Sequence, residues 1–540
     1  MPRPLLAFGL ALLAALGGAA CNGCRSTQPE GAKAATAPDV PTIRLYAVSN
    51  VAGALEPCGC TKDQMGGIDH LGAFIARDRA SARGSLLLAA GPTMFLDPTL
   101  ASSRGEQDVW KAEAIGASFG AIGLAAWTPG FNDWAGGPRL LTAFGESTKA
   151  PLLAANLEGA VGGAVKSALR EVSGIKVGLV GVALPLSSGK APEGVASSDP
   201  ASAMKAAVAA LRAQGAKMIV GLAAIPRGDA LRLAEGVPHL AALVVGKPAD
   251  AGDTNDAPMP PQVMGHTLVV QTSNHLQTVA VVDFFVRGDD FEFQDGVGVA
   301  NAQALDSVEK RMRDLENRLA AWQNDPSIRP ADLEARKRDL DKLAEEKKRL
   351  SIPAPPQEGS FFRYSLVEVR GKLGSDTPVA ERMKAFYAKV NEHNRVAFAD
   401  KKPPELAPGQ SGYAGVEVCS SCHDSARKVW DGTAHAHAYA TLAKQSKEFN
   451  LDCVGCHVTG YEKPGGSTVT WNLPLRDVQC ESCHGPGQAH AKAPKKAGLI
   501  TRDPKPETCV GSCHHPPHVE AFDPVKAKQL VLGPGHGLPE

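Results

Sequence analysis

The 540-residue sequence predicts a multidomain chain: an α/β domain built on a layered, buried sheet, then a helical hairpin, then a mainly α-helical domain rich in cysteine and histidine. Three observations predict it. Short apolar runs alternate with alanine-rich amphipathic segments over residues 41–300, a seam of heptad-spaced apolar residues follows, and four cysteine pairs crowd the last quarter.

At the start, Arg3 precedes an apolar run over residues 5–16, and Gly17, Gly18, Ala19 and Ala20 lead to Cys21. This is the pattern of an export signal over residues 1–20. Small residues before a cysteine resemble a bacterial lipoprotein cleavage site, after which Cys21 becomes the lipidated first residue of a flexible linker, residues 21–40. The alternative is that Cys21 and Cys24 are a thiol pair in a flexible tail. No other apolar run is long enough to span a bilayer. The expectation is a body tethered by lipid on the periplasmic side of a bacterial envelope, at the inner or the outer membrane.

Within residues 41–300 the apolar runs are 43–48, 86–90, 175–183, 218–222, 242–246 and 268–271, with helical stretches such as 201–214 between them. Runs of that length bounded by helices argue for strands of a buried sheet. The chain is 44% hydrophobic, ample for real cores, and its 57 basic side chains balance 57 acidic ones, so nothing points to a nucleic-acid partner.

In residues 301–352, Leu305, Val308, Met312, Leu315, Leu319 and Trp322 fall at alternating three- and four-residue steps, an a/d seam. Asn324, Asp325 and Pro326 break it, and Leu333, Leu340, Leu343 and Leu350 mark a returning helix, so an antiparallel pair or an oligomer contact is expected. Residues 353–409 read as a strand (361–369), a helix (379–393) and a proline-rich linker (402–408).

Residues 410–540 carry the chemistry. Cys419/Cys422/His423, Cys453/Cys456/His457, Cys480/Cys483/His484 and Cys509/Cys513/His514 each place a histidine directly after a cysteine pair. That arrangement attaches haem c: the thiols add to the vinyl groups and the neighbouring imidazole binds the iron. Disulfides and zinc ribbons also use paired cysteines, but neither requires the histidine. The fourth motif has three residues between its thiols and must bulge; a disulfide or free thiols are its alternatives.

An iron with a second protein ligand is an electron carrier, whereas an open position binds substrate or gas. No methionine follows Met383, so the distal ligands are expected to be histidines. His435, His437, His490, His515, His518 and His536 are the candidates, with His435, His490 and His518 preferred and His437 after them.

These segments resemble the cytochrome c-554 type of multihaem cytochrome over about residues 413–525: residues 453–461, residues 480–487 followed by His490, and Trp430 ahead of His435 carry the likeness. The resemblance implies a helical domain of closely stacked haems that passes electrons in the periplasm. Residues 48–53, 89–95, 129–134 and 154–157 are similar, in order, to motifs of the metallophosphoesterase domain of 5′-nucleotidase-like proteins, which implies that layered fold over about residues 42–300. Where that family carries metal ligands this chain has Asn50, Ala52, Pro92 and Phe131, and Ile225-Pro226 and Gly246-Lys247-Pro248 replace its late histidine motifs; Asp133 and Asn156 survive. Alanine, proline and phenylalanine cannot coordinate, so neither a dinuclear metal site nor phosphoesterase activity is expected, and no catalytic residue is assigned. The segment Glu56-Pro57-Cys58-Gly59-Cys60 resembles a nucleotidase-like subgroup with Cys-Gly-Cys in this loop, often beside multihaem domains. Cys58 and Cys60 are read as a redox pair, a soft-metal site or simply inert thiols.

The leading expectation is therefore a membrane-tethered haem c electron carrier that serves redox proteins of the cell envelope, its α/β domain a non-catalytic docking or sensing module. The alternatives are a haem enzyme that reduces a small nitrogen or sulfur oxyanion at a five-coordinate iron, and a thiol oxidoreductase working through Cys58 and Cys60.

Overall fold

The structure, a computed structural model, describes residues 40–536 apart from 58–62, 251–253, 297, 323–327, 352–355, 357, 516–518 and 520–521. The described part opens with β1 (Ile43–Ser49), α1 (Ile68–Asp78), β2 (Ser85–Ala90), α2 (Gly105–Ile122), β3 (Leu124–Thr128) and α3 (Gly137–Thr148). There follow β4 (Leu157–Gly159), β5 (Ser167–Val172), β6 (Ile175–Ala183), β7 (Val195–Ser197), α4 (Pro200–Ala213), β8 (Met218–Ala224), α5 (Arg227–Gly236) and β9 (Ala242–Gly246). Then come β10 (Met259–Met264), β11 (Thr267–Gln271), β12 (Thr278–Phe285), β13 (Gln294–Asp295), α6 (Gly298–Trp322), α7 (Pro330–Leu350), β14 (Phe361–Glu368) and α8 (Thr377–Ala397).

Two six-stranded sheets result, in the orders β13-β14-β12-β1-β2-β3 and β10-β11-β9-β8-β6-β5. Side chains alternate across a strand, and that alternation builds the layers. Ile43, Leu45 and Ala47 of β1 enter a core shared with Leu179 of β6 and Leu222 of β8, so the sheets pack face to face. Tyr46 and Val48 point the other way, toward Leu71 of α1, Phe119 of α2 and Phe386 of α8. Behind the second sheet, Val180 and Ile219 meet Met204 and Leu211 of α4 and Leu233 of α5. The layers run helix, sheet, sheet, helix. The central strands are apolar throughout because both of their faces are covered. The layered α/β domain expected from the sequence is present.

Its expected end near residue 300 is corrected by β14, which pairs antiparallel with all of β12, from Phe361 opposite Phe285 to Glu368 opposite Thr278. Phe362 and Tyr364 complete the core between the sheets. The segment over residues 353–409 is therefore no separate piece: its strand joins the first sheet, and α8 packs on α1 and α2. Helices α6 and α7 form an antiparallel excursion, joined by Glu309–Lys347 and Arg311–Glu346 ion pairs and by Asn301 Nδ2 donating to Leu350 O at 2.7 Å. Val308, Leu319 and Leu343 are its buried seam.

Candidate haem-binding region

Beyond α8 the chain forms short helices joined by turns: α9 (Val416–Ser420), α10 (Asp424–Asp431), α11 (Ala438–Ala443), α12 (Cys480–His484), α13 (Gln488–Lys492), α14 (Glu507–Ser512) and α15 (Pro524–Gln529). No helix among the described residues is long and apolar enough to cross a membrane. Buried acceptors hold these pieces together. Glu481, 2% exposed, accepts from the amides of Ala414, Gly415 and Gly487 at 2.8, 2.8 and 2.6 Å, and Gln479 Oε1 accepts from the Val416 amide at 2.7 Å. Sequence reasoning passed over both, because their partners are backbone amides supplied by other segments.

The cysteine motifs close as tight turns. The amides of Cys422 and His423 both donate to Cys419 O, at 3.2 and 3.0 Å, while Cys456 N reaches Cys453 O at 3.3 Å and His457 N reaches Val454 O at 3.0 Å. One turn of helix sets thiols three apart on the same face. The fourth motif absorbs its additional residue in a wider turn, with the amides of Cys513 and His514 both reaching Cys509 O at 3.2 and 2.9 Å. His514 thus holds the same carbonyl that His423 holds in the first motif. Thiols of different motifs also lie beside one another: Cys419 beside Cys480, Cys456 beside Cys513, and Cys483 near Cys509. In space the motifs therefore run first, third, fourth, second.

Three motif histidines face another histidine. The ring centroids of His423 and His490 are 6.4 Å apart with planes at 27°, those of His484 and His536 are 6.4 Å apart at 22°, and those of His514 and His435 are 6.2 Å apart at 52°. A metal–imidazole bond is about 2 Å and the ring centre lies roughly 1.1 Å further, so a metal held between two histidines sets their centroids about 6.3 Å apart. The chain's own geometry thus fits haem iron. Nδ1–H of His457 donates to Ala438 O at 2.6 Å, and that of His484 to Thr501 O at 2.7 Å, which leaves Nε2 of each ring for a metal. Burial pushes His435, His457, His514 and His536 below the ordinary histidine value and favours the neutral imidazole, the form that ligates.

Of the preferred distal candidates, His435 and His490 face motif histidines, and His518 lies outside the described residues. His437 does not join them. It is exposed, beside Asp477, two positions after His435 in the turn Ala434–His437, and residues two apart do not share a face. His536 faces His484 instead. Its only signal in the sequence is the pair of glycines just ahead of it, Gly533 and Gly535, which lets the tail lie on α10: a Cβ on Gly535 would stand 2.7 Å from the Ala426 amide nitrogen, and one on Gly533 2.8 Å from Val429 Cγ2. His515 lies near Cys456. His457 is held through Nδ1 by Ala438 O, and among the described residues no ring faces it.

In the α/β domain the positions singled out from the sequence serve one another. Asn50 Oδ1 accepts from the Lys247 amide at 2.7 Å, Asn132 bonds the Asp250 backbone in both directions, and Asn156 bonds the Ala183 backbone in both directions. Asp133 is fully buried and accepts from the amides of Gly130, Thr93 and Met94; burial pushes its carboxyl up to about 6. The Lys247 ammonium stands 2.5 Å from Asp256 Oδ2 and 3.5 Å from Asp250 Oδ2, so a side-chain cation occupies this corner. Among the described residues no group of three or more histidines, cysteines or carboxylates is arranged to hold a metal ion. Cys21, Cys58 and Cys60 lie outside the described residues. Glu56, just ahead of that cysteine pair, is 2.5 Å from Lys447 Nζ.

Residues 418–485 match the family model "Cytochrome c554 and c-prime". Cytochrome c-554 of Nitrosomonas europaea is 39% identical over 114 residues, which cover 17% of this chain and 48% of that protein, so the chain spans about half the length of the curated relative it matches. Solved structures similar to this one include a 5′-nucleotidase precursor from Thermus thermophilus, with 17% identity, TM-score 0.43, and 67% of this chain and 61% of that one covered. Another is the sulfate thiohydrolase SoxB of the same genus, with 14% identity, TM-score 0.44, and 66% and 62% covered.

Proposed function

We propose that this protein is a haem c electron carrier, tethered by Cys21 on the periplasmic side of the envelope, that exchanges electrons with other envelope proteins. The observation that carries the reading is the set of three facing histidine pairs, each joining a motif histidine to one outside the motifs at 6.2–6.4 Å. Bound haem supplies reversible one-electron chemistry at iron, and paired imidazoles keep the potential below that of a His/Met site. The chain's own residues do the rest. Eight thiols fix the porphyrins, His423/His490, His484/His536 and His514/His435 hold the irons, and the contacts between motifs set the attachment points in series. The likeness of residues 418–485 to the cytochrome c554 family supports the same reading. The α/β domain serves as a docking or sensing platform.

A second reading, reduction of a small nitrogen or sulfur oxyanion, requires one iron with an open position. Two measurements on protein matured in a host with cytochrome assembly separate the readings. The mass of the mature chain counts covalent haems and acyl groups, with four haems expected. Carbon monoxide titration then counts open irons: binding at one haem at most fits a carrier, and rapid turnover of an oxyanion at that haem moves the assignment to the enzyme. A colourless protein with no added porphyrin mass sinks both.

A further inference from the structure

Among the described residues, the α/β domain grips the chain just ahead of the second motif. Asp452, the residue before Cys453, places Oδ2 2.8 Å from Lys111 Nζ and Oδ1 2.5 Å from Arg104 Nη2, both on or next to α2. Arg104 is held in turn by Asp108 at 2.8 Å. These side chains are partly buried, Lys111 15% exposed and Asp452 27%, so the pairs are only partly screened by water. The backbone leading to the motif is held just as closely. Gln107 Oε1 accepts from the Leu451 amide at 3.0 Å, Asn391 Oδ1 from the Phe449 amide at 3.0 Å, and Asn394 Nδ2 donates to Phe449 O at 2.9 Å. Helices α2 and α8 thus address residues 449–452 by hydrogen bonds and a charge pair.

We propose that Arg104 and Lys111 are positioning residues for the haem attached at Cys453 and Cys456: they clamp Asp452 and set the charge beside that one haem. The inference rests on the haem reading above and goes beyond it, since it makes the α/β domain part of one haem's environment and not only a surface for partners. The potential of a haem follows the charge and burial around it. A carboxylate next to the attachment turn favours the oxidised iron, which carries one more positive charge, and the two cations oppose that effect. Removal of either sign therefore moves the potential in a predictable direction.

The test is a redox titration of the full matured protein with the spectrum resolved into its haems. Asp452→Asn should raise the midpoint of one haem, Lys111→Met should lower the midpoint of the same haem, and the double variant should return it toward the starting value, the other haems holding still. Shifts in the same direction for both single variants, an equal drift of all haems, or no shift at all overturns the proposal, because loosened packing has no reason to follow the sign of the charge. Amide exchange at residues 449–453 gives a reading independent of porphyrin: it should quicken in Lys111→Met, and unchanged exchange overturns the clamp whatever the haem content. Haem mass on each variant reports the underlying assignment separately, so a missing porphyrin counts against the haem reading and not against the clamp.

Discussion

His423 and His536 stand at opposite ends of what a sequence discloses about single residues. The proposed attachment chemistry is local, a pair of thiols and the next side chain, so its four motifs can be read from spacing alone. A distal ligand is chosen by which loop folds over which motif, and the glycine-flanked His536 gave no sign of this until Gly533 and Gly535 were seen against α10. We predict that His536→Ala and His490→Ala each convert one haem to a high-spin spectrum, whereas His437→Ala leaves the low-spin signal intact; electron paramagnetic resonance of the ferric protein reads all three. Asp133 offers a test outside the haems. Its carboxyl takes three backbone amides in a fully buried place, so Asp133→Ala should cost about 1–3 kcal/mol in urea unfolding, the penalty of orphaned donors. Its folded value near 6 lies above the ordinary 3.8, so the folded state holds the proton more tightly. This residue's contribution is greatest below the unfolded value and is lost as pH climbs through the folded one.

At the scale of elements, the central strands announced themselves because a strand covered on both faces must be apolar along its whole length. What the sequence hid was partnership. Residues 361–369 read correctly as a strand, but nothing local says that it returns to β12 across a two-helix excursion, since register is a property of two segments and not of one. The α/β domain therefore extends past residue 300 to include β14. Phe362 tests the correction: it is fully buried between the sheets, so Phe362→Ala should lower the stability of the α/β domain by about 3–5 kcal/mol in thermal or urea unfolding. A strand belonging to a separate segment would leave that transition where it was.

Across the whole molecule, the seam between α2, α8 and residues 445–453 decides whether the two halves act as one body. Burial works against the Asp452 charge, yet Lys111 and Arg104 hold its carboxyl well below the usual carboxylate range. A depressed acid stabilises the fold above its unfolded value and loses that effect as pH falls through the folded one. Scanning calorimetry should accordingly show one joint transition near neutral pH and two separated ones in strong acid; a single transition throughout would mean that the seam does not depend on this carboxylate. The sheet order has a temporal consequence. Ile43 must wait for Phe284, and β14 arrives last yet slots in between β12 and β13, so the first sheet stays unfinished until most of the chain has been made. Every cysteine motif follows β14 in the chain, so the last strand of the scaffold is already made before the first thiol pair emerges, and the loop ahead of Cys453 meets helices that precede it.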